Sequence, residues 1–345
     1  MIPIQNIYYM LSYAFQVLNE QGYKNIATEQ FNNTGELMAA ILEKGIAIQL
    51  KRGLGKEYIL QTEALSSLRG KIDIAESIKT QSMLRKQLIC TYDEFSVNSI
   101  MNRIIKSTVE LLLRSNISKQ RKKNLRKLMV YFSEVDFIDL YTVNWNVQYN
   151  RNNQTYRMLI SICYLVVKGL LQTQSNGHTK LMDFLDEQRM CRLYEKFILE
   201  YYRREFKNQI TANASQIPWQ LDNEENSLLP VMQSDIMLQS GEKVLIIDAK
   251  YYEHSTQVQF DKHTLHSGNL YQIFTYVKNK EYELREKDHT VSGMLLYAKT
   301  DEAIYPNNVY QMSGNQITVR TLDLNLPFDE IAGQLNTIAK THFDL

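Results

Sequence analysis

Hydrophobic positions recur through the first half of this chain with the period of helices. Pro3 suits a first helical turn, where its missing N–H costs nothing, and Ile4, Ile7, Tyr8, Leu11 and Phe15 follow at helical spacing, which predicts a helix to about residue 19. A second amphipathic stretch runs from Glu36 to about Gln49, until Gly53 and Gly55 break the pattern. Tyr58–Leu60, Leu68–Ile74 and Leu88–Phe95 are short, β-leaning pieces. Ile100, Ile104, Ile105, Val109, Leu112 and Leu113 then draw an apolar stripe on a helix over 98–114, and Ser118 caps a further helix to about Phe132. Trp145, Val147 and Tyr149 alternate as a strand would, ahead of the polar turn at Asn150–Gln154, which we take as a domain boundary.

Beyond that turn the pattern predicts long helices over 157–171 and 182–207. A β-rich run follows at 210–219, 230–238 and 244–251, then a helix over about 265–278, a strand at 293–298, β pieces around Val309 and Ile317, and a closing helix from Phe328. The expected architecture is mixed α/β in two domains, residues 1–150 and 151–345, the second built on a central mixed sheet flanked by helices.

Composition narrows the class. The 345 residues, 44% of them hydrophobic, support proper cores and exclude a disordered or fibrous chain. Cys90, Cys163 and Cys191 are too few and too scattered for a disulfide scaffold. The longest clean apolar run, Met158–Val167, is about half of a bilayer span, and Met-Ile-Pro-Ile-Gln lacks the basic start of a signal peptide, so a cytoplasmic location away from membranes is expected. Gly53-Leu54-Gly55-Lys56 lacks the spacing and the following Ser/Thr of a phosphate loop, so no nucleotide is expected on this chain. His254, His263 and His266 match no common zinc spacing.

The formal net charge of +1 conceals a division. Residues 1–175 carry 22 Lys and Arg against 14 Asp and Glu, and residues 176–345 carry 17 against 24. The whole basic excess lies in 101–130, where nine Lys and Arg face the single Glu110. Lys119, Arg121, Lys122, Lys123, Arg126 and Lys127 therefore form a candidate contact for nucleic-acid phosphates or for an acidic face of a partner, against the plainer reading of a solvated helix face.

The candidate chemistry lies in 234–250. Val244–Ile247 is the kind of apolar run that fills a buried strand, and it ends in Asp248-Ala249-Lys250, whose acid and base project from one face. A two-residue turn at Gly241-Glu242 puts Asp235 directly opposite Asp248, with Cβ atoms about 4.5–5.5 Å apart. Two carboxylates so close repel unless a cation sits between them, and a hard divalent ion such as Mg²⁺ takes a few carboxylate oxygens, a carbonyl and waters while leaving room for a phosphate. With Lys250 stabilising developing charge or orienting water, this is a phosphodiesterase site.

Helix with Glu195, strand with Asp235, strand with Asp248-Ala249-Lys250, then helix with Gln272 and Tyr276 is an order that resembles the PD-(D/E)XK nuclease core. More narrowly the chain resembles the McrC family, the endonuclease subunits of McrBC-type modification-dependent restriction systems. The resemblance covers essentially the whole chain: Ile2–Leu11, Leu68-Arg69-Gly70-Lys71-Ile72-Asp73, Asp93–Asn98 with Asn102, Tyr194-Glu195-Lys196-Phe197 and Asp248–Tyr252. Ser234 stands where the superfamily name writes a proline.

The resemblance implies Asp235 and Asp248 as metal ligands, with Ala249 and Glu195 at the metal, Lys250 as catalytic lysine and Gln272 as support. It implies Mg²⁺, or Mn²⁺ in its place, double-stranded DNA containing methylated cytosine as substrate, and an McrB-like AAA+ ring as the partner that binds GTP. Residues 1–150 would then dock on that ring and stimulate its GTPase, with Leu68, Arg69, Gly70, Lys71 and Asp73 as a partner-facing element, and double-strand cleavage would call for two copies of the nuclease. The rival readings are a non-catalytic adaptor that activates an AAA+ ring and a stand-alone nuclease.

Overall fold

The computed structural model describes residues 2–345 except 16–17, 19–22, 24–25, 27–28, 30, 32, 151–152, 176–186, 223–227, 253–256, 260–261 and 300–304. The chain forms two units, one of residues 1–20 with 185–345 and one of 21–184. This differs from the expected division at residue 150 at both ends. Helix α1 (Ile4–Ala14) packs on α7 (Glu187–Glu205), far along the chain, and α6 (Tyr156–Ser175) packs on α2 (Thr34–Arg52) and α4 (Ile100–Arg114). The polar turn before α6 is a loop inside one unit. His254 and residues 182–186 of the expected helix fall outside the described residues.

In the 21–184 unit, the expected stripes find partners. Ile104, Ile105, Val109 and Leu112 of α4 are buried, whereas Ile100 stays exposed. Asn102 is fully buried in a polar knot. Its amide donates to the carbonyls of Gly55 and Val97 at 2.9 and 2.8 Å and its carbonyl accepts from Tyr156 OH at 2.7 Å, while Tyr156 OH accepts from the Gly55 N–H. Every buried polar atom named here has a partner, as low-dielectric surroundings require. The expected strand at Trp145–Tyr149 is irregular chain. Its alternation reflects one side leaning on α6, with Trp145 edge-on to Tyr164 at 5.2 Å, and it joins no ladder.

Strands β1 (Glu57–Leu65), β2 (Lys71–Asp73) and β3 (Leu88–Ser96) form an antiparallel sheet in the order β1-β3-β2; β2 is shorter than the β piece expected over Leu68–Ile74, and Ile74 opens the short helix α3 (Ile74–Lys79). Gly70 holds the turn into β2 at φ +69, and a Cβ there would run into the backbone of Thr91 and Tyr92. Helix α5 (Lys119–Met129) starts at the expected cap, Ser118 Oγ accepting from the Arg121 N–H, and ends in a 3-10 turn at Val130–Phe132.

In the other unit, β4 (Thr211–Asn213), β7 (Ile236–Ser240), β8 (Lys243–Lys250), β11 (Thr290–Ala298), β12 (Asn308–Met312) and β13 (Asn315–Leu322) make one mixed sheet, ordered β12-β13-β11-β8-β7-β4. Only β8–β11 and β11–β13 pair in parallel. Two minor pairs, β5 (Gln216–Ile217) with β6 (Met232–Gln233) and β9 (Gln257–Gln259) with β10 (Lys262–Thr264), stand apart. Helix α8 (Ser267–Glu283) lays Ile273, Tyr276 and Val277 on the sheet face formed by Met237, Val244, Ile246, Val291, Leu295 and Ile317. Helix α7 covers the other face, its Tyr201 and Tyr202 hydrogen-bonded to α9 (Phe328–Phe343). Asn6 of α1 donates to the carbonyls of Leu324 and Leu326, both at 2.8 Å, so the opening motif is a clasp on this unit. No helix among the described residues is long and apolar enough to cross a membrane.

Gly293 sets how closely α8 approaches. A Cβ there would lie 2.8 Å from Ile273 Cγ1 and 2.9 Å from Ile317 Cδ1 and Val277 Cγ2. Gly293→Ala should therefore lower the unfolding free energy by about 1–3 kcal/mol, as overpacked cores do, in a urea titration. An unchanged midpoint would mean the helix shifts freely.

Candidate active site

Gly241, at φ +57, and Glu242 close the β7–β8 hairpin, and the ladder runs from Ser240 opposite Lys243 to Ile236 opposite Ile247. One step further on stand Asp235 and Asp248, which the turn was expected to set directly opposite each other. The ladder itself stops at Ile236, and Asp235 bends away so that its Oδ2 accepts from the Ala249 N–H at 3.0 Å. Asp248 and Lys250 share a face, and Lys250 Nζ lies 2.9 Å from Asp248 Oδ2. Alternation puts that face on the α8 side of the sheet, which leaves the Asp248 side chain 1% exposed.

The Asp248 carboxylate is an anomaly by the usual rules of burial. Apart from the ionic approach of Lys250, neither of its oxygens has a hydrogen-bond partner. Burial pushes its carboxyl well above the ordinary carboxylate range, with Lys250 pulling against the shift and Asp235 adding to it. Burial also opposes the charge on Lys250, but Asp248 and Asp235 beside it prevail and hold the ammonium above the usual lysine range. A pair of acids with a retained cation, one acid desolvated and under-bonded, stores unfavourable electrostatics that a divalent ion would relieve.

Glu195 on α7 senses the same site. Burial and then the charge of Asp235 raise its pKa, and Lys250 counteracts. Its Oε1 accepts from the Cys191 thiol one turn earlier at 3.1 Å, and burial pushes that thiol up to about 12. Among the described residues no three His, Cys, Asp or Glu side chains converge on one point, so Glu195 stands near the two aspartates without closing a three-acid cluster. Asp235, Asp248 and the Ala249 carbonyl make a ligand set that fits Mg²⁺, which keeps several waters. Gln272 turns along its own helix, its Nε2 donating to Tyr276 OH at 2.9 Å.

Tyr297 and Asn269, which no motif marks, join Tyr252 of the Asp248–Tyr252 motif at this site. Tyr297, fully buried, is the parallel-strand neighbour of Lys250. Its OH accepts from Asn269 Nδ2 at 2.9 Å, and Asn269 Oδ1 accepts from Tyr252 OH at 3.4 Å, which ties the start of α8 to the end of β8. Burial raises the Tyr297 phenol to about 12. A tyrosine closing an apolar strand is a faint hint, but its place beside Lys250 follows from a β8–β11 register that passes through α8.

The basic segment is sorted by its partners. Arg121 is not on the surface it was expected to charge. Its guanidinium turns inward to Glu29, Glu36 and Glu43 at 2.8, 3.4 and 2.9 Å, because position 121 falls on the side of α5 that packs against α2. Lys119, Lys122, Lys123, Arg126 and Lys127 have no ion pair among the described residues. Leu68 to Asp73 lie exposed at the edge of the three-stranded sheet, Arg69 stacked over Tyr92 at 4.2 Å.

Fold and site together define a mixed α/β chain whose six-stranded sheet presents two carboxylates and a lysine at the end of a central strand. The family profile described as "McrBC 5-methylcytosine restriction system component" matches residues 5–298, and the chain belongs to that family. It is 30% identical, over 329 residues, to the type IV methyl-directed restriction enzyme EcoKMcrBC of Escherichia coli K12, with 94% of this chain and 93% of that protein aligned. It is also similar to chains in two solved assemblies from Thermococcus gammatolerans. One is a half-complex of a tetradecameric assembly of McrB AAA+ hexamers with bound McrC, at 18% identity and TM-score 0.49, covering 97% of this chain and 76% of that one. The other is an McrBC complex, at 21% identity and TM-score 0.41, covering 59% of each.

Proposed function

We propose that this chain is the Mg²⁺-dependent DNA endonuclease subunit of a GTP-dependent McrBC-type restriction system, acting on DNA with methylated cytosine. The observation that carries it is the gathering of Asp235, Asp248 and Lys250 at the end of β8, with the Asp248 carboxylate buried and Lys250 Nζ 2.9 Å from it. The order α7, β4, β7, β8, α8, β11 supports reading the sheet unit as a PD-(D/E)XK core. Asp235 and Asp248 would hold the ion, with the Ala249 carbonyl and, through water, Glu195. Bound there, the ion supplies a water of lowered pKa and electrophilic stabilisation of a phosphate. Lys250, held charged by the two aspartates, orients the attacking water or offsets charge growing on the phosphate. Tyr297 and Asn269 keep the strand end and α8 in place around it.

The partner is an McrB-like AAA+ ring that hydrolyses GTP, and family membership supports this. The three-stranded sheet offers a surface for it: Tyr58, Leu60, Leu68 and Phe95 are each more than half exposed, and the rings of Tyr58 and Phe95 lie 5.0 Å apart across the β1–β3 pair, exposed apolar surface of the kind that marks protein interfaces. The test combines the purified chain, its AAA+ partner, GTP, Mg²⁺ and methylated linear DNA. Cleavage that needs all four is expected. Cleavage by the chain alone would make it a stand-alone nuclease, and GTPase stimulation with no cutting would make it an adaptor.

A further inference from the structure

Helix α5 has two faces with opposite fates. Arg121 and Asn124 face inward, Arg121 to three glutamates and Asn124 donating to Glu43 at 2.9 Å, with Leu125 beside them fully buried. Lys119, Lys122, Lys123, Arg126 and Lys127 fall, at 100° per residue, within one outward arc of about 140°. Elsewhere in the basic segment the cations are occupied: Arg103 and Lys106 donate to main-chain carbonyls and Arg114 pairs with Glu110. The five on the outward arc have no acidic partner among the described residues.

We infer that this outward face of α5 is a DNA-backbone binding surface, with Lys119, Lys122, Lys123, Arg126 and Lys127 as its phosphate contacts. The cations span about 12 Å of helix axis, a density of positive charge that repels itself unless anions are near. Four of the five are lysines, mobile point charges that suit sequence-independent phosphate contact, whereas carboxylates on a partner protein are matched best by the planar fork of arginine. The one arginine of α5 that does meet carboxylates is turned into the fold. Pinning of the inner face means the helix presents its charges without first having to order. The choice of DNA as the polyanion rests on the proposed nuclease function.

The test is binding of a short unmodified duplex to the full chain, followed by fluorescence anisotropy in EDTA across a salt series, with no partner present. Each phosphate contact contributes about −0.9 to the slope of log K against log salt, so Lys119→Gln, Lys123→Gln, Arg126→Gln and Lys127→Gln together should flatten the slope by roughly 3–4 and weaken low-salt binding at least tenfold or so. The melting temperature should stay unchanged, because these side chains are exposed and unpaired. Equal slopes for the two proteins would overturn the inference, as would loss of assembly with the AAA+ ring alongside unchanged DNA binding. Asp248→Asn separates the two readings: it should bind with the parent slope. A chain that binds this way but never cuts removes the nuclease function alone, and one that cuts with no change in slope removes this surface alone.

Discussion

Asp248→Asn should reduce cleavage by the assembled complex on the order of a thousandfold or more while the chain remains folded. The activity loss follows because asparagine keeps the shape of the side chain and removes the charge that, with Asp235, would hold the cation. The retained fold follows from burial. Asp248 is 1% exposed with neither oxygen hydrogen-bonded, so its charge is a cost that only Lys250, 2.9 Å away, partly offsets. The single variant leaves Lys250 with Asp235 as its remaining acid. Removing both charges, as Asp248→Asn with Lys250→Met, should leave stability equal or raise it by about 1–4 kcal/mol, as replacement of buried ion pairs often does. Cleavage and thermal midpoints measured on the same preparations decide the matter. Near-parent cleavage by Asp248→Asn would displace the site from this strand, and collapse of the double variant would show the pair to be structural.

The second large effect concerns stability. Arg121→Ala should destabilise the 21–184 unit by about 3 kcal/mol, because it leaves three glutamates facing one another around a vacated position. The Arg121 side chain is 16% exposed and those of Glu36 and Glu43 are 12% and 21%, so water screens the set poorly. Two residues along, Lys123→Ala should stay within about 0.5 kcal/mol of the parent, since nothing in the fold depends on it. Denaturant titrations of the two variants should thus diverge sharply although both remove one positive charge from the same helix. Equal midpoints would mean the glutamates relax outward without cost.

That contrast shows where sequence reading succeeds and where it stops. Lys123 and Arg121 belong to one basic run, and composition alone treats them alike. Helical periodicity separates their faces, but which face meets α2 depends on residues eighty positions earlier. The family motifs divide in a similar way. Asp235, Asp248 and Lys250 come together at the strand end, although the ladder stops one residue short of pairing the two acids, whereas Asn6 and Asn102 serve as buried knots that tie segments together. Gln272 and Tyr276 come to share a hydrogen bond on α8, and Tyr297, which no motif marks, stands next to Lys250.

By itself the sequence determined the helical stripes, the cap at Ser118, the two-residue turn at Gly241-Glu242 and, through that turn, the β7–β8 register as far as Ile236 opposite Ile247. All of these are set by contiguous residues, where backbone sterics and a period of 3.6 or 2 leave little freedom. Only the tertiary structure decided that α1 joins the distant sheet unit, that α6 completes the earlier one, that Trp145–Tyr149 finds no strand partner, that Arg121 turns inward and that Tyr297 flanks Lys250. Those outcomes depend on which remote surfaces bury one another, a choice made by the summed burial of faces that are not neighbours in sequence.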